Sequence, residues 1–317
     1  LAKQSKSKEL STKQIYFQRP LDYNSHEFSS LFDGCPVSAC RVTRTATPKL
    51  DAYLFREIIS FPREYNPERQ NEIWIYYSLE SPNTYTLDDG VNCINWTATY
   101  RFDSDIVTPY AKFVAFNNSV STTTKVNYAK GKTKKVAWFV SNCNSNNNRL
   151  QYAQELNKYI EVDIYGICGT KRCSRSNGNH CFDMLKRDYK FYLSFENSNC
   201  RDYITEKFFA NALDNNVLPI VMGAYAEDYD RVAPPHSFIH VDEFESAESL
   251  AKYLHKLDKN DELYNSYFDW KGSGQFINTR FWCRLCALLH SKSKRRHYKD
   301  LATWWQRNIC NNDGHLQ

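Results

Sequence analysis

Two groups of residues have the types and spacing that phosphate chemistry requires. Asp103 and Asp105 form an Asp-x-Asp pair, and two carboxylates in one loop suit Mg²⁺ or Mn²⁺ bound beside a phosphate. Lys207 lies in the first turn of a helix that is predicted to begin near Thr205. The amide groups and the dipole at the start of a helix attract anions, so Lys207 either points into solvent or binds a phosphate.

The eleven cysteines allow two kinds of structure. Cys283 and Cys286 have the spacing of zinc ligands, and Cys35 and Cys40 could supply a second pair. The alternative is a set of disulfides, which persist in oxidising compartments and are rare in the cytosol. So many cysteines in a chain of this size favour the disulfides.

Composition narrows the class of protein. The chain has 317 residues, 42% hydrophobic and 15% aromatic, which is enough for the cores of two domains. Its formal charge of +5 is far below that of a nucleic-acid-binding protein. Asn95 and Asn117 begin N-glycosylation acceptor sites, which favour the secretory pathway. No apolar run reaches the ~20 residues of a membrane-spanning helix, so any targeting segment would lie outside this chain.

Hydrophobic patterning predicts alternating strands and helices in the second half of the chain. The predicted strands are 136–140, 162–165, 191–195 and 218–222, and the predicted helices are 150–160, 206–214 and 247–257. This alternation is typical of a parallel, doubly wound α/β sheet. The first half is mixed and rich in turns, and its clearest predicted strand is 73–78.

Ligands of a doubly wound sheet bind beyond the carboxyl ends of its strands. This rule predicts functional loops at residues 141–142, 166, 196–197 and 223. The G-x-G-x-x-G fingerprint of dinucleotide-binding proteins does not occur in the sequence, so a diphosphate would need other partners. The helix start near Thr205 offers such partners.

Two neighbouring motifs form the most specific pattern in the chain, Phe195-Glu-Asn-Ser198 and Asp202-Tyr-Ile-Thr-Glu-Lys207. Together they resemble the signature of the α1,3-fucosyltransferases. The further stretches similar to that family are Glu80-Ser-Pro82, Asn95-Trp-Thr-Ala-Thr-Tyr-Arg101, Asp103-Ser-Asp-Ile106, Ser237-Phe-Ile-His-Val241 and Cys283-x-x-Cys286. The resemblance therefore extends from about residue 35 to residue 286, with the motifs in the order of the family.

The resemblance implies an α/β fold of the GT-B architecture, in which two Rossmann-like domains face each other across a cleft. Residues 1–15 would be the remnant of a stem, residues 16–130 an acceptor-binding domain and residues 131–275 a GDP-fucose-binding domain. Residues 276–317 would form a C-terminal segment that packs back towards the N-terminal domain. The basic stretch 125–135 is predicted to link the two domains.

The resemblance also implies an inverting displacement that converts a β-linked donor into an α-linked product. Such a reaction needs a base to remove the acceptor hydroxyl proton, and Glu80 matches the base proposed for the family. Lys207 and Arg149 match the cations that contact the pyrophosphate, where they would stabilise the charge of the departing GDP. The remaining substrate-binding positions are Glu206, Asn197 and Tyr203, with Ser141 and Tyr192 as less specific matches, because a hydroxyl or aromatic group at a strand end often only packs.

For the cysteines, the resemblance implies one disulfide between Cys35 and Cys283 and another between Cys40 and Cys286. The sequence does not fix the pairing of the other seven, which are Cys93, Cys143, Cys168, Cys173, Cys181, Cys200 and Cys310. Because seven is an odd number, they cannot all pair within one chain.

The resemblance implies GDP-fucose as the donor and no essential bound metal. This favours a structural role for Asp103 and Asp105, although stimulation by Mn²⁺ stays open. The motif around Asn95 and the Cys-Arg-Leu-Cys sequence ending at Cys286 look most like invertebrate and plant enzymes that fucosylate the core GlcNAc of N-glycans on glycoproteins. Such an enzyme would work in the Golgi lumen, held by a type II signal-anchor that lies outside this chain.

Two alternative functions remain at this stage. A Lewis-type enzyme would perform the same chemistry on GlcNAc in a terminal Galβ1,4GlcNAc unit. A lectin-like module would bind sugars without catalysis, and the 22 Tyr and 7 Trp residues could line its groove, although scattered aromatic residues mostly form cores.

Overall fold

The computed structural model describes residues 10–18, 27–45, 49–59, 71–117, 126–173, 179–291 and 296–311. The chain forms two compact units. Unit 1 contains the described residues up to Thr108 together with Arg280–Arg307, and unit 2 contains Pro109–Thr279 and the described residues after Arg307. Within the described residues, no helix combines the length and the apolar character that crossing a bilayer requires.

The secondary structure is given in chain order. The strands are β1 Lys13–Gln18, β2 Cys40–Thr43, β3 Ala52–Arg56, β4 Ile73–Ser78, β5 Trp96–Thr99, β6 Lys112–Ala115, β7 Lys134–Phe139, β8 Val162–Tyr165, β9 Tyr189–Phe195, β10 Asn199–Cys200, β11 Leu218–Met222, β12 Ile239–His240, β13 Gly274–Ile277 and β14 Cys310–Asn311. The α-helices are α1 Glu27–Ser30, α2 Arg149–Leu156, α3 His180–Asp188, α4 Ala226–Asp230, α5 Ala247–Asp258, α6 Asp261–Ser266, α7 Phe281–His290 and α8 Leu301–Gln306. A π-helix covers Lys207–Leu213 and a 3₁₀ helix covers Val241–Glu243.

Unit 1 is built on a parallel sheet of five described strands in the order β2-β1-β3-β4-β5. Its core includes Ile15 and Leu54 from the sheet and Leu285 from α7, all fully buried. Apolar side chains on neighbouring strands thus face a helix that arrives from a distant part of the sequence, and burial of their surface stabilises the layered arrangement.

Unit 2 contains a second parallel sheet of five described strands, in the order β12-β11-β9-β7-β8. Every residue of β9 is buried, which is expected of a central strand that is covered on both faces. Helix α5 covers this sheet with Leu250, Leu254 and Leu257, whose spacing of three and four residues places them on one helical face. Ser246 starts the helix by accepting a hydrogen bond from the Ser249 amide.

Several boundaries differ from those that the sequence predicts. Residues 13–15 belong to strand β1 rather than to a solvated stem, because Ile15 is fully buried between β2 and β3. Unit 2 begins at Pro109 rather than near residue 131, because β6 pairs with β13. The part of the predicted linker that the structure describes contains a turn and the start of β7. Residues 280–307 return to unit 1, whereas β14 pairs with β10 in unit 2.

Candidate functional site

The carboxyl ends of β7 and β9 form the point where the strand order of unit 2 reverses. The chain passes from β7 outwards to β8 and then returns to β9 on the other side of β7. Ligands of doubly wound sheets bind in the crevice at such a switch point. The predicted loops at 141–142, 166, 196–197 and 223 indeed follow the ends of β7, β8, β9 and β11.

Arg149, the first residue of α2, joins both sides of this switch point. Its Nη1 donates to the carbonyl oxygen of Phe195 at 2.7 Å, and its Nη2 donates to the carbonyl oxygen of Asn142 at 3.0 Å. The guanidinium lies 5.6 Å from the ring centroid of Trp138, and the residue is 3% exposed. Burial lowers the pKa of Arg149, which the negative charge of Glu196 opposes. Arg149 is therefore a buried cation fixed between two strand ends.

Lys207, the first residue of the π-helix, is held by a buried carboxylate that the sequence-based prediction did not assign. Its Nζ donates to Glu196 Oε2 and to Thr205 Oγ1, both at 2.8 Å. Thr205 also donates its amide and its hydroxyl to Glu196 Oε1, each at 2.8 Å. The Glu196 side chain is fully buried, whereas that of Lys207 is 22% exposed. The lysine is thus anchored from beneath and reaches the surface.

The pKa values in this pair follow from burial and charge. Burial raises the pKa of Glu196, and the charge and hydrogen bond of Lys207 oppose that shift. Burial alone would lower the pKa of Lys207, but the carboxylates of Glu196 and Glu206 outweigh it, so the pKa lies above its ordinary value. Lys207 consequently remains a cation at neutral pH.

Gly223 makes room for the buried carboxylate. The residue follows β11 with a φ of +150°, and a Cβ atom there would lie 2.7 Å from both Cβ and Cγ of Glu196. Contacts this close would force the Glu196 side chain to move, so the position requires glycine. Glycine at the end of β11 therefore leaves the space that the Glu196 side chain occupies at the end of β9.

The other predicted nucleotide-sugar contacts occupy two kinds of environment. Glu206 and Ser141 are exposed at the same edge of the sheet, and the Glu206 Oε1 lies 3.4 Å from Lys207 Nζ. Tyr203 is 1% exposed. Tyr192 is fully buried in the core, where its hydroxyl accepts a hydrogen bond from Asn211, so the side chain has no exposed surface for a ligand.

Three buried polar atoms near this edge lack a hydrogen-bond partner within the described residues. They are Asn147 Oδ1, Arg149 Nε and Asn197 Oδ1. The Asn147 amide is oriented by its Nδ2, which donates to the Glu196 carbonyl and to Asn199 Oδ1. Unsatisfied polar atoms are uncommon inside proteins, so three in one place mark a site with a role besides packing.

Glu80 lies in unit 1, two residues beyond the end of β4, and is partly exposed. The Ser78 hydroxyl donates to its carbonyl oxygen at 3.2 Å. The loop that follows is fixed to α8, because Trp305 Nε1 donates to the Tyr85 carbonyl and the Gln306 side chain bonds both the amide and the carbonyl of Leu87. Glu80 is therefore held at the carboxyl edge of the unit 1 sheet.

Asp103 and Asp105 are both engaged by cations of the protein. Arg101 binds Asp103 through Nε at 2.9 Å and through Nη2 at 2.5 Å. Asp105 lies 3.0 Å from Arg296 Nη1, and its Oδ2 accepts from the Thr97 amide at 2.9 Å. These contacts are those expected of two structural carboxylates rather than of a shared metal site.

The disulfides account for ten of the eleven cysteines. Cys35 is bonded to Cys283 and Cys40 to Cys286, the two pairs that the resemblance implies. The remaining bonds are Cys143–Cys168, Cys173–Cys181 and Cys200–Cys310, and the eleventh cysteine, Cys93, is buried and takes part in none of these disulfides. Because both pairs of candidate zinc ligands are oxidised, the zinc alternative is wrong for this structure.

The two predicted glycosylation sites have different outcomes. Asn95 is 8% exposed, its Oδ1 accepts from the Trp74 amide and its Nδ2 donates to the Arg296 carbonyl. A glycan on this nitrogen would not fit the buried position of the side chain, so the prediction for Asn95 is corrected. Asn117 is exposed, but the next two residues of its acceptor site lie outside the described residues.

Two family models match the chain. The model described as "Glycosyltransferase family 10 (fucosyltransferase) C-term" matches residues 129–304, and the model described as "Fucosyltransferase, N-terminal" matches residues 10–111. A solved structure described as α1,3-fucosyltransferase with GDP-fucose aligns with a TM-score of 0.60 at 14% identity, covering 93% of this chain and 96% of that chain. This match concerns the fold alone.

Curated proteins that are similar to this chain are also named as fucosyltransferases. Glycoprotein 3-alpha-L-fucosyltransferase A of Drosophila melanogaster is 54% identical over 278 residues, which cover 86% of this chain and 55% of that protein. Alpha-(1,3)-fucosyltransferase C of the same organism is 37% identical, covering 86% of this chain and 70% of that protein. Human 4-galactosyl-N-acetylglucosaminide 3-alpha-L-fucosyltransferase FUT6 is 37% identical, with 84% and 75% covered.

The two parallel α/β units and the structural match show a fold of the GT-B type, which is the fold that the resemblance implies. The chain belongs to glycosyltransferase family 10, the fucosyltransferases. It spans little more than half the length of the Drosophila protein A.

Proposed function

We propose that this chain transfers fucose from GDP-fucose, in α1,3 linkage and with inversion, to GlcNAc in the core of N-glycans. The observation that carries the proposal is the Lys207 cation, anchored by the buried Glu196 beside Arg149 at the switch point of unit 2. A diphosphate-binding site that lacks the glycine-rich fingerprint needs preorganised cations, and Lys207 and Arg149 supply two of them.

The donor site consists of the loops after β7 and β9. Lys207 meets the pyrophosphate with its partly exposed side chain, while Arg149 orders the two loops and adds positive charge from the buried side. Glu206, Asn197 and Ser141 contact the nucleotide sugar from the same edge. As the bond between the anomeric carbon and the phosphate oxygen breaks, GDP keeps the bonding electrons, and the two cations stabilise its growing charge.

Glu80 acts as the base in unit 1. Its carboxylate removes the proton from the acceptor hydroxyl while that oxygen forms the new bond to the anomeric carbon, opposite to the departing GDP. Because the donor is β-linked, the single displacement gives an α-linked product. Asp103 and Asp105 take no part in this step, since arginines bind both carboxylates.

The N-glycan core is the acceptor that the relatives favour. The relative with 54% identity is named a glycoprotein 3-α-fucosyltransferase, whereas the human relative named for a galactosyl-GlcNAc acceptor is 37% identical. Five disulfides in the described residues support work in an oxidising compartment, and we propose that the enzyme works in the Golgi lumen.

A single acceptor panel tests the proposal. The protein is incubated with GDP-fucose and either a paucimannose N-glycan or lactosamine, and the products are analysed by mass spectrometry. We expect one added fucose on the innermost part of the N-glycan and little on lactosamine. Preference for lactosamine would make it a Lewis-type enzyme, and no transfer to either acceptor, despite GDP binding, would refute the proposed function.

A further inference from the structure

A cavity of about 320 Å³ opens on unit 1, away from the residues assigned above to the base and the donor site. Its described lining consists of Asp103, Arg296, His297, Tyr298 and Trp304. The volume lies within the range of roughly 300–1,000 Å³ that is usual for small-molecule sites. Two aromatic rings and a few polar groups are also the usual lining of such sites.

A fully buried cation gives this lining a fixed shape. Arg101 is 2% exposed, holds Asp103 with two hydrogen bonds and stacks on the Trp304 ring with its guanidinium 4.1 Å from the centroid. Its Nη1 also donates to the Trp304 carbonyl at 2.5 Å. The Tyr298 ring lies edge-on to Trp304, with centroids 5.4 Å apart. The carboxylate and both rings are therefore preorganised, which lowers the entropic cost of binding a ligand.

The cavity lies on the same edge of the sheet as Glu80. Strands β4 and β5 are neighbours and parallel, so the segments that follow their carboxyl ends leave the sheet side by side. Glu80 follows β4, and Asp103 follows β5. Helix α8 connects the two places, because it carries Trp304 and also bonds the Glu80 loop through Trp305 and Gln306. A molecule that extends from Glu80 along this edge would meet the cavity.

The charges of the cavity select the chemistry of its ligand. Asp103 is paired with Arg101 and Asp105 with Arg296, so the two carboxylates and two guanidiniums cancel formally. A neutral ligand suits this balance better than a phosphate or a sialic acid does. The apolar face of a pyranose ring packs on an aromatic ring, because its weakly positive C–H groups meet the negative face of the ring, and its hydroxyls suit a carboxylate and a guanidinium.

We propose that this cavity is a carbohydrate subsite that holds a mannose residue of the acceptor glycan, beyond the GlcNAc that receives fucose. The inference rests on the proposed N-glycan acceptor. The part of the Trp304 ring that lines the cavity supplies the stacking surface, while Arg101 packs on the same ring from the protein side, and Asp103 and Arg296 bond the hydroxyls of the mannose. The subsite explains how an enzyme of this family would prefer a mannose-bearing core to a bare GlcNAc pair.

The test compares two acceptors in a series of variants. Trp304→Phe keeps a smaller aromatic ring, Trp304→Leu removes it, and Arg296→Ala removes a side chain that is 67% exposed, so folding should survive. Tyr159→Leu removes an exposed aromatic residue of unit 2 and serves as the matched control. For the trimannosyl N-glycan core, we expect the KM of Trp304→Phe to be higher than that of wild type and the KM of Trp304→Leu to be higher still, about 3- to 10-fold above wild type. The KM for GDP-fucose, and that for the mannose-free chitobiosyl peptide, should stay unchanged.

Saturation-transfer NMR with the free trimannosyl chitobiose tests binding without turnover. We expect wild-type enzyme to saturate the mannose protons and Arg296→Ala and Trp304→Leu to lose that signal, while Tyr159→Leu keeps it. Absence of the signal in wild-type enzyme, or an equal rise of KM for both acceptors, would overturn the subsite. Failure of wild-type enzyme to fucosylate any N-glycan would instead refute the proposed function, so the two failures are distinguishable.

Discussion

The two cations of the proposed donor site differ in how the protein holds them, and we expect them to have different roles. The guanidinium of Arg149 donates hydrogen bonds to two backbone carbonyl groups, and the residue is almost fully buried. Lys207 donates to the side chains of Glu196 and Thr205, and its side chain keeps an exposed fraction of 22%. We therefore expect Lys207 to contact the pyrophosphate most directly and Arg149 to shape the loops that surround it.

Alanine variants separate these roles. Lys207→Ala should weaken GDP affinity by roughly 1.5 to 3 kcal/mol, the usual value of a charge-assisted hydrogen bond. Arg149→Ala should weaken GDP affinity by a similar amount and also lower the melting temperature, because the carbonyl groups of Phe195 and Asn142 lose their donor. Calorimetry with GDP and thermal unfolding measure the two effects. GDP affinity that is unchanged in both variants would contradict the assigned donor site.

The buried pair of Glu196 and Lys207 predicts an effect of pH on stability. Lys207→Met leaves the Glu196 carboxylate buried without its cation, and breaking such a pair usually costs about 3 to 5 kcal/mol. The folded-state pKa of Glu196 then lies above its unfolded value, so the folded protein binds the extra proton and the lost stability returns as the pH falls through that pKa. In Glu196→Gln/Lys207→Met the loss should be smaller and nearly independent of pH.

Urea unfolding at pH 5 and pH 7.5 measures this difference. Glu196→Gln/Lys207→Met is the control, because it lacks both charges. Equal pH dependence of the single and double variants would show that Glu196 is not the group that titrates.

At the scale of elements, the Cys143–Cys168 disulfide joins the loops that follow β7 and β8. Both loops leave the carboxyl edge of the sheet, and the first leads into Arg149. Fixing the loops before the donor arrives lowers the entropy lost on binding.

Removal of that bond should therefore weaken donor binding more than removal of another bond in the same unit. We expect Cys143→Ser/Cys168→Ser to lose severalfold in GDP affinity. Cys173→Ser/Cys181→Ser, which removes the other short-range bond of unit 2, should keep its GDP affinity. Isothermal calorimetry of both double variants checks this, and equal affinities would contradict the role of the Cys143–Cys168 bond.

Sequence patterning predicted the elements of unit 2 better than those of unit 1. The bounds of β8 and β11, and of β4 in unit 1, agree with prediction, because each strand consists mainly of apolar, aromatic and β-branched residues. Strand β5 was not predicted, since Trp-Thr-Ala-Thr is short and contains two hydroxyl groups that become buried only through tertiary contacts. The predicted helix 206–214 is a π-helix, and propensity does not separate two helix types that bury the same side chains.

The site was predicted in part for similar reasons. The resemblance pointed to Arg149 and Lys207, and hydrophobic runs predicted the strand ends beside which the structure places both residues. Glu196 was predicted to lie in a functional loop, but its role as the anchor of Lys207 was missed, since burial of a carboxylate depends on Gly223 and Thr205 around it. The pairing of Cys143, Cys168 and the other internal cysteines also depends on three-dimensional proximity.

At the scale of the whole molecule, both main sheets have the same topology. In each unit the strand order is second, first, third, fourth and fifth among the described strands. Each sheet has a carboxyl edge, the edge at which ligands of such sheets usually bind, with Glu80 on one and Lys207 on the other. Under the proposed function, the acceptor would be activated in unit 1 and the donor bound in unit 2.

A buried lysine away from the site makes the stability of unit 2 depend on pH. Burial, together with the charges of Lys190, Lys271 and Lys186, lowers the pKa of Lys132 to about 7, and its Nζ donates to the Asn216 carbonyl. At a pH between about 7 and 10.5, which is the pKa of an ordinary lysine, Lys132 carries a proton in the unfolded chain but not in the folded protein. The free energy of unfolding therefore rises with pH over this range. The slope from one proton is at most about 1.4 kcal/mol per pH unit.

Chemical unfolding at pH 7 and pH 9 measures this slope. Lys132→Met should reduce the rise, because the titrating group is gone. Lys130→Met, which removes an exposed lysine two residues away, should leave it unchanged. A slope that is identical in wild type and Lys132→Met would contradict the low pKa.

The turnover of Glu80→Gln, measured together with its GDP affinity, tests the central claim most directly. Glutamine keeps the size and hydrogen bonding of glutamate but cannot accept the proton, and general-base help is typically worth about 10²- to 10⁴-fold in rate. We expect kcat to fall by about that factor while the dissociation constant for GDP, which we propose to bind in unit 2, stays near that of wild type. Near-normal kcat, or an equal loss of turnover and of GDP affinity, would contradict the assignment of Glu80 as the base.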